Sequence, residues 1–118
     1  MRHRKGITKL GRPTDQRIAL LRNLVISLIQ YGKIETTEAK AREAIKMAER
    51  VITLGKNKSV SSIRNVLKII PHKESVKKIF DEISINYKDR NGGYIRITKT
   101  RLRQGDATQM AVIELIKD

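Results

Sequence analysis

Apolar residues recur every three or four positions in four separate segments of this chain, which is the spacing of one buried helix face. The segments cover residues 14–31, 37–55, 60–70 and 74–87. Stop signals follow the pattern, because a glycine stands at the end of the first two segments and a proline directly after the third. The hydrophobic pattern therefore predicts four amphipathic helices, with Thr37 as the N-cap of the second.

The period becomes alternating in residues 94–100, where two isoleucines fall on one face and Tyr94 and Arg96 on the other. This alternation predicts a strand. Residues 110–116 are apolar enough for a second strand, and they lie close enough along the chain to pair with the first as an antiparallel hairpin. Residues 33–36 form either a short strand or a connection.

The composition favours one small domain with a polyanionic partner. The chain has 118 residues, of which 39% are hydrophobic, so one modest core is the expected limit. Lys and Arg total 26 against 12 acidic residues, which gives a formal net charge of +14. A surplus of that size makes nucleic acid the first partner class to consider and an anionic membrane the second.

Residue types that carry catalysis or bind metals are sparse. Cysteine is absent, which excludes disulfides and thiolate zinc sites, and the two histidines, His3 and His72, stand far apart in sequence. Asp81 and Glu82 are adjacent on the solvated side of a predicted helix, and the 92–93 glycine pair precedes a strand instead of opening a helix. We therefore expect no enzyme activity, no metal site and no cofactor.

The basic residues form two clusters, which we interpret as the nucleic-acid-binding surface. The first cluster contains Arg2, Arg4, Lys5, Lys9, Arg12, Arg17 and Arg22, against the single acid Asp15. The second contains Lys88, Arg90, Arg96, Lys99, Arg101 and Arg103, against Asp89 and Asp106. Charges of both signs alternate along the second helix, which is typical of a solvated face.

These clusters suggest a basic arm over residues 1–13 and a single globular domain over residues 14–118.

Aromatic residues make up only 3% of the chain, so a platform for base stacking is not expected. Tyr94 either stacks on a base or packs at the sheet edge.

Six segments of the chain together resemble the bacterial large-subunit ribosomal protein seventeen family. They are MRHRK at 1–5, KLGR at 9–12, RNL at 22–24, IETTEAKA at 34–41, ERVITL at 49–54 and GGYIRI at 92–97. The resemblance runs nearly end to end in the order of the family, and the IETTEAKA segment is the most specific. Residues 56–87 match mainly in pattern.

The resemblance implies an α/β fold of the α+β two-layer type, ordered α-β-α-α-α-β-β, with a basic N-terminal arm and a small mixed sheet that ends in an antiparallel hairpin. It makes residues 33–36 an edge strand. It also implies a structural constituent of the large ribosomal subunit, cytoplasmic and present as one copy per ribosome, that binds 23S rRNA and neighbouring ribosomal proteins near the exit tunnel.

Within the matching motifs, the resemblance assigns RNA contact to Arg2, His3, Arg4, Lys5, Lys9, Arg12, Arg22, Tyr94 and Arg96. The charge pattern adds Arg17, Lys99, Arg101 and Arg103 to this set. Departures from the family pattern at residues 15–17 and 31–33 leave the contacts there open. The alternative function is that of a nucleoid-type protein that binds DNA without sequence preference.

Overall fold

The computed structural model describes residues 14–116, which form a helical layer packed on a three-stranded sheet. In chain order the elements are α1 (Thr14–Tyr31), β1 (Lys33–Thr37), α2 (Glu38–Gly55), α3 (Val60–Ile69), α4 (Lys73–Lys78), a π-helical turn (Ile79–Ile83), α5 (Ser84–Asn86), β2 (Ile95–Leu102) and β3 (Gln109–Leu115). The predicted α+β class is confirmed, and residues 33–36 belong to a strand.

Side-chain caps begin three of the helices. The Thr37 hydroxyl accepts a hydrogen bond from the backbone N–H of Lys40 at 3.4 Å, as the sequence predicts. Ser59 accepts from the N–H of Ser62 at 3.1 Å at the start of α3. His72 does the same for α4 through its Nδ1, so this histidine has a local structural partner.

The fourth predicted helix is not a continuous α-helix. The backbone N–H of Ser84 donates to the carbonyl of Ile79, five residues earlier, which defines the π-helical turn between α4 and α5. Ile79, Phe80 and Ile83 are buried in this turn, as the apolar pattern predicts. The predicted fourth helix is confirmed over residues 73–86, with a π-helical turn inside it that the apolar spacing did not reveal.

The sheet has the order β1-β3-β2, and both pairings are antiparallel. The predicted β2–β3 hairpin is therefore confirmed, whereas the expectation of a mixed sheet is wrong. The two outer strands run parallel to each other, but β3 lies between them, so no parallel pair of neighbouring strands forms.

The core lies between the helices and one face of the sheet. Ile34 and Ile97 both stand opposite the fully buried Ile113 in the register, and both pack against the core from the two outer strands. In α2, three alanines are fully buried: Ala41, Ala44 and Ala48. These small side chains allow α2 to approach its neighbours closely, which confirms the predicted apolar stripe.

Candidate nucleic-acid interface

Four of the basic residues predicted to bind RNA lie together on β2 and the turn that follows it. Arg96, Lys99 and Arg101 belong to β2, and Arg103 follows its last residue. Their side chains are 58%, 63%, 57% and 44% exposed, respectively. We call these four residues the β2 cations.

Each of the β2 cations is paired with one carboxylate. Arg96 lies 3.7 Å from Glu114, Lys99 lies 3.5 Å from Glu38, Arg101 lies 3.2 Å from Glu35, and Arg103 lies 2.6 Å from Asp106. Glu38 is shared, because it also pairs with Arg42 at 2.7 Å. The surface therefore consists of matched charges, although the chain as a whole is strongly basic.

The register explains how the carboxylates reach the cations. Lys33, Glu114 and Arg96 stand opposite one another across the three strands, so their side chains share one face of the sheet. Ile95 and Ile97 lie on the opposite face, which packs on the core. Lys99 stands opposite the buried Ala111 and so starts on the same side of the strand as Ile97, and a register shift between Lys99 and Leu102 then interrupts the alternation at Arg101.

The pairing alters the protonation of the acidic partners. Hydrogen bonds from Thr100 and Arg101 lower the pKa of Glu35, and a hydrogen bond from Arg42 together with the charge of Lys99 lowers the pKa of Glu38. Arg103 donates two hydrogen bonds to Asp106, which lower the pKa of that carboxyl and raise the pKa of the arginine. All of these carboxylates are charged at neutral pH.

A second basic segment, residues 88–94, is fastened to α2. The carboxylate of Glu49 accepts hydrogen bonds from the backbone N–H groups of Gly93 and Tyr94, each at 2.9 Å. The ammonium of Lys56 donates to the carbonyl of Arg90. Sequence reasoning missed both anchors, because it interpreted Glu49 as part of an ordinary solvated face and residues 56–59 as a polar break.

Tyr94 is not available to a nucleic-acid base. Its side chain is 1% exposed, its hydroxyl lies 3.2 Å from the hydroxyl of Thr53, and its ring packs 5.1 Å from that of Tyr87. Lys56 lies over the same ring at 4.7 Å. The prediction that Tyr94 contacts RNA is therefore wrong, and the alternative of a packed tyrosine at the sheet is correct.

On α1, the predicted site residues are less accessible than expected. Arg17 is 4% exposed, because its position falls on the same stripe of the helix as Leu21 and Leu28, so its assignment to an RNA-facing surface is wrong. Arg22 is half-buried and donates to the carbonyl of Lys68 at 3.4 Å, which ties α1 to α3.

The remaining predicted contacts lie outside the described residues: Arg2, His3, Arg4, Lys5, Lys9 and Arg12.

Sequence reasoning also missed one exposed aromatic residue. Tyr31 is 75% exposed, whereas every other aromatic ring in residues 14–116 is buried. Gly32 ends α1 directly after it with a φ of +78°, a conformation that glycine adopts without strain. The only sequence signal was the position of Tyr31 directly before this stop and two residues before a lysine, Lys33.

The described residues hold no arrangement typical of a reaction centre. In the 14–116 range, no group of three or more His, Asp or Glu side chains is placed to hold a metal ion. Asp81 is paired with Lys58 at 3.4 Å on the surface. No helix in this part of the chain is long and apolar enough to cross a membrane.

Comparison with known proteins agrees with these observations. The family model described as ribosomal protein L17 matches residues 20–116. The chain belongs to the ribosomal protein L17 family. This membership confirms the resemblance found in the sequence and the prediction that the protein is not an enzyme.

Relatives in the family cover almost the whole chain. It is 50% identical to the large ribosomal subunit protein bL17 of Fusobacterium nucleatum over 116 residues, which are 98% of this chain and 100% of the relative. The protein of the same name from Dictyoglomus thermophilum gives the same identity and coverage. That of Clostridium perfringens is 49% identical over 111 residues, or 94% of this chain and 98% of the relative.

Proposed function

We propose that the protein, a structural constituent of the large ribosomal subunit, binds and stabilises folded 23S rRNA through arginine and lysine contacts to phosphate. Its family membership gives it ribosomal RNA and ribosomal proteins as partners and places it in the cytoplasm, within the ribosome. The identity of the RNA and the residues that bind it are the parts that we propose.

The observation that carries this proposal is the row of the β2 cations. Their side chains project from one strand and its turn, and each is between 44% and 63% exposed. Three of the four are arginines, whose planar guanidinium groups form two parallel hydrogen bonds with a phosphate. A row of such groups matches a folded RNA backbone, whose phosphates recur at regular intervals.

We assign residues 1–13 to a separate RNA-binding arm and residues 14–118 to the globular domain. The arm carries five Lys and Arg residues and no acid, so its contribution to RNA binding is mainly electrostatic. The proposed contacts there are Arg2, His3, Arg4, Lys5, Lys9 and Arg12. Arg22, near the middle of α1 and half-buried, is a further proposed contact.

We assign the stacking role to Tyr31 in place of Tyr94. Its ring is exposed at the end of α1, and the exposed Lys33 lies two residues further along the chain. An aromatic face beside a positive charge is the combination that holds an unpaired base next to its phosphate.

The first experiment is sedimentation of the tagged full chain from a cell lysate, under conditions that separate the ribosomal subunits and after a moderate-salt wash. We expect the chain in the large-subunit fraction, in a one-to-one ratio to 23S rRNA, since we propose a single copy per ribosome and no homo-oligomer. Recovery with chromosomal DNA would contradict the proposal and support the nucleoid-type alternative.

A second experiment tests the surface itself. Arg101→Gln removes one of the β2 cations, and we expect the plot of log Kobs against log salt for 23S rRNA to flatten by about 0.7–0.9. Arg64→Gln is the matched control, because Arg64 is an exposed arginine of α3, away from the sheet. Equal slopes for the two variants would contradict the assignment of the interface to β2.

A further inference from the structure

In three of the four pairs formed by the β2 cations, the carboxylate is less exposed than the cation; the exception is Asp106, which is 49% exposed beside Arg103 at 44%. Glu38, Glu35 and Glu114 are 23%, 32% and 33% exposed, whereas Lys99, Arg101 and Arg96 are 63%, 57% and 58% exposed. In these three pairs the positive group is therefore more accessible to solvent than its negative partner. An approaching polyanion meets the cation first and the carboxylate behind it.

This arrangement removes most of the net charge from the β2 part of the surface that we propose to bind RNA. The four cations, Arg42 and the exposed Lys33, which stands opposite Glu114, give six positive charges against four carboxylates, so the excess is two. Long-range attraction of nucleic acid depends on net charge, whereas a close phosphate contact depends on the position of individual donors. This part of the surface thus keeps its donors but has little general attraction for polyanions.

The ion pairs are weak enough to be exchanged. Exposed pairs of this kind contribute little to stability, and arginine forms the same bidentate hydrogen bonds with phosphate as with carboxylate. A phosphate that reaches the correct position can therefore share or replace the carboxylate. A phosphate that approaches elsewhere gains nothing from the cation and is repelled by the acid.

We propose that Glu35, Glu38 and Glu114 determine the specificity of the RNA-binding surface, because they suppress the binding of nucleic acids whose phosphates do not match the β2 cations. This inference rests on the proposed function, since it concerns the selectivity of the same site. Glu35 is the clearest member of the set, because it accepts hydrogen bonds from both Thr100 and Arg101, at 2.7 and 3.2 Å.

The test compares the binding of the full-length Glu35→Gln variant to 23S rRNA and to duplex DNA of random sequence, over a range of salt concentrations. Glutamine keeps an oxygen acceptor for Thr100 but removes the charge. For DNA, we expect the plot of log Kobs against log salt concentration to become steeper by about 0.9, which corresponds to one additional phosphate contact. We also expect the affinity for DNA at low salt to rise about 5-fold. The affinity for 23S rRNA should change by less than 2-fold, so the ratio of the affinity for 23S rRNA to the affinity for DNA falls.

Glu74→Gln is the matched control. Glu74 is an exposed acid of α4, and its replacement changes the net charge of the chain by the same amount at a site away from the β2 cations. If Glu74→Gln raises the affinity for DNA as much as Glu35→Gln, overall charge explains the effect and the inference is overturned. An unchanged DNA affinity for Glu35→Gln also overturns it.

The wild-type protein separates this inference from the proposed function. If the wild type does not prefer 23S rRNA to duplex DNA, the proposed function fails, and the inference fails with it. If the wild type shows that preference and Glu35→Gln keeps the full ratio, the inference alone fails. A parallel urea unfolding curve for each variant confirms that the comparison is made between folded proteins.

Discussion

Replacement of Glu49 tests how residues 88–94 are held. Its carboxylate accepts two backbone hydrogen bonds, one from Gly93 at an exposed position and one from Tyr94 at a partly buried one. A hydrogen bond to a charged group contributes about 1.5–3 kcal/mol when it is shielded from water and less when it is exposed. We therefore expect Glu49→Ala to lower the free energy of unfolding by about 2 kcal/mol, most of it from the bond to Tyr94.

The assay is urea unfolding followed by circular dichroism, combined with hydrogen exchange of the Tyr94 amide. With an m-value near 2 kcal/mol per molar urea, a loss of about 2 kcal/mol shifts the midpoint by about 1 M. Glu49→Gln retains one acceptor oxygen, so its midpoint should lie between those of the wild type and Glu49→Ala. The Tyr94 amide should exchange faster in both variants.

Arg50→Ala serves as the control, because Arg50 is the exposed neighbour of Glu49 on the same helix. Its effect on stability should stay within about 0.5 kcal/mol. The reasoning is refuted if Glu49→Ala and Arg50→Ala have the same midpoint, or if the Tyr94 amide exchanges at the wild-type rate in Glu49→Ala.

Three further predictions concern packing, pH and the exposed aromatic residue. A Cβ at position 55 would lie 2.4 Å from the Ser84 hydroxyl and 2.5 Å from Ile79 Cγ2. Gly55→Ala should therefore lower the free energy of unfolding by about 3 kcal/mol in a urea titration. An unchanged midpoint would contradict this close contact. The folded-state pKa of Glu35 lies below its ordinary value of 4.5, so the unfolded chain binds more protons. The stabilisation from its ion pair is therefore present above about pH 4.5 and lost as the pH falls through the folded-state pKa. Thermal unfolding measured between pH 3 and 5 should depend less on pH in Glu35→Gln than in the wild type. Equal pH profiles for the two proteins would count against the pairing. Tyr31→Ala should weaken the binding of 23S rRNA in a filter-binding assay by about 5- to 100-fold at unchanged stability. Tyr31→Phe should keep the wild-type affinity, because its ring can still stack. Wild-type affinity in Tyr31→Ala would exclude stacking.

The sequence predicted those parts of the structure that depend on local periodicity. The spacing of apolar residues in α2 and the threonine before it were sufficient to place that helix and its cap, because both depend on neighbours within one or two turns. The alternation in residues 94–100 was sufficient for β2. Net charge alone identified a polyanion as the partner class, since it depends on composition and not on the fold.

The candidate site could be predicted only in part. The β2 cations were found because a strand with basic residues at its end is visible in the sequence. Their acidic partners were not, because Glu35, Glu38 and Glu114 come from three other elements that only the sheet order brings to β2. Tyr94 illustrates the same limit, since alternation placed it on the outer side of its strand whereas Tyr87, Thr53 and Lys56 enclose it.

By itself, the sequence determined the helices, the hairpin and the excess of positive charge, all of which follow from short-range spacing or from simple counting. Only the tertiary structure decided that β3 lies between β1 and β2, that Arg17 is buried while Tyr31 is exposed, and that each of the β2 cations is paired with a carboxylate. The physical reason is that burial and ion pairing act over a few ångströms in space. Most of the partners concerned are separated by tens of residues along the chain.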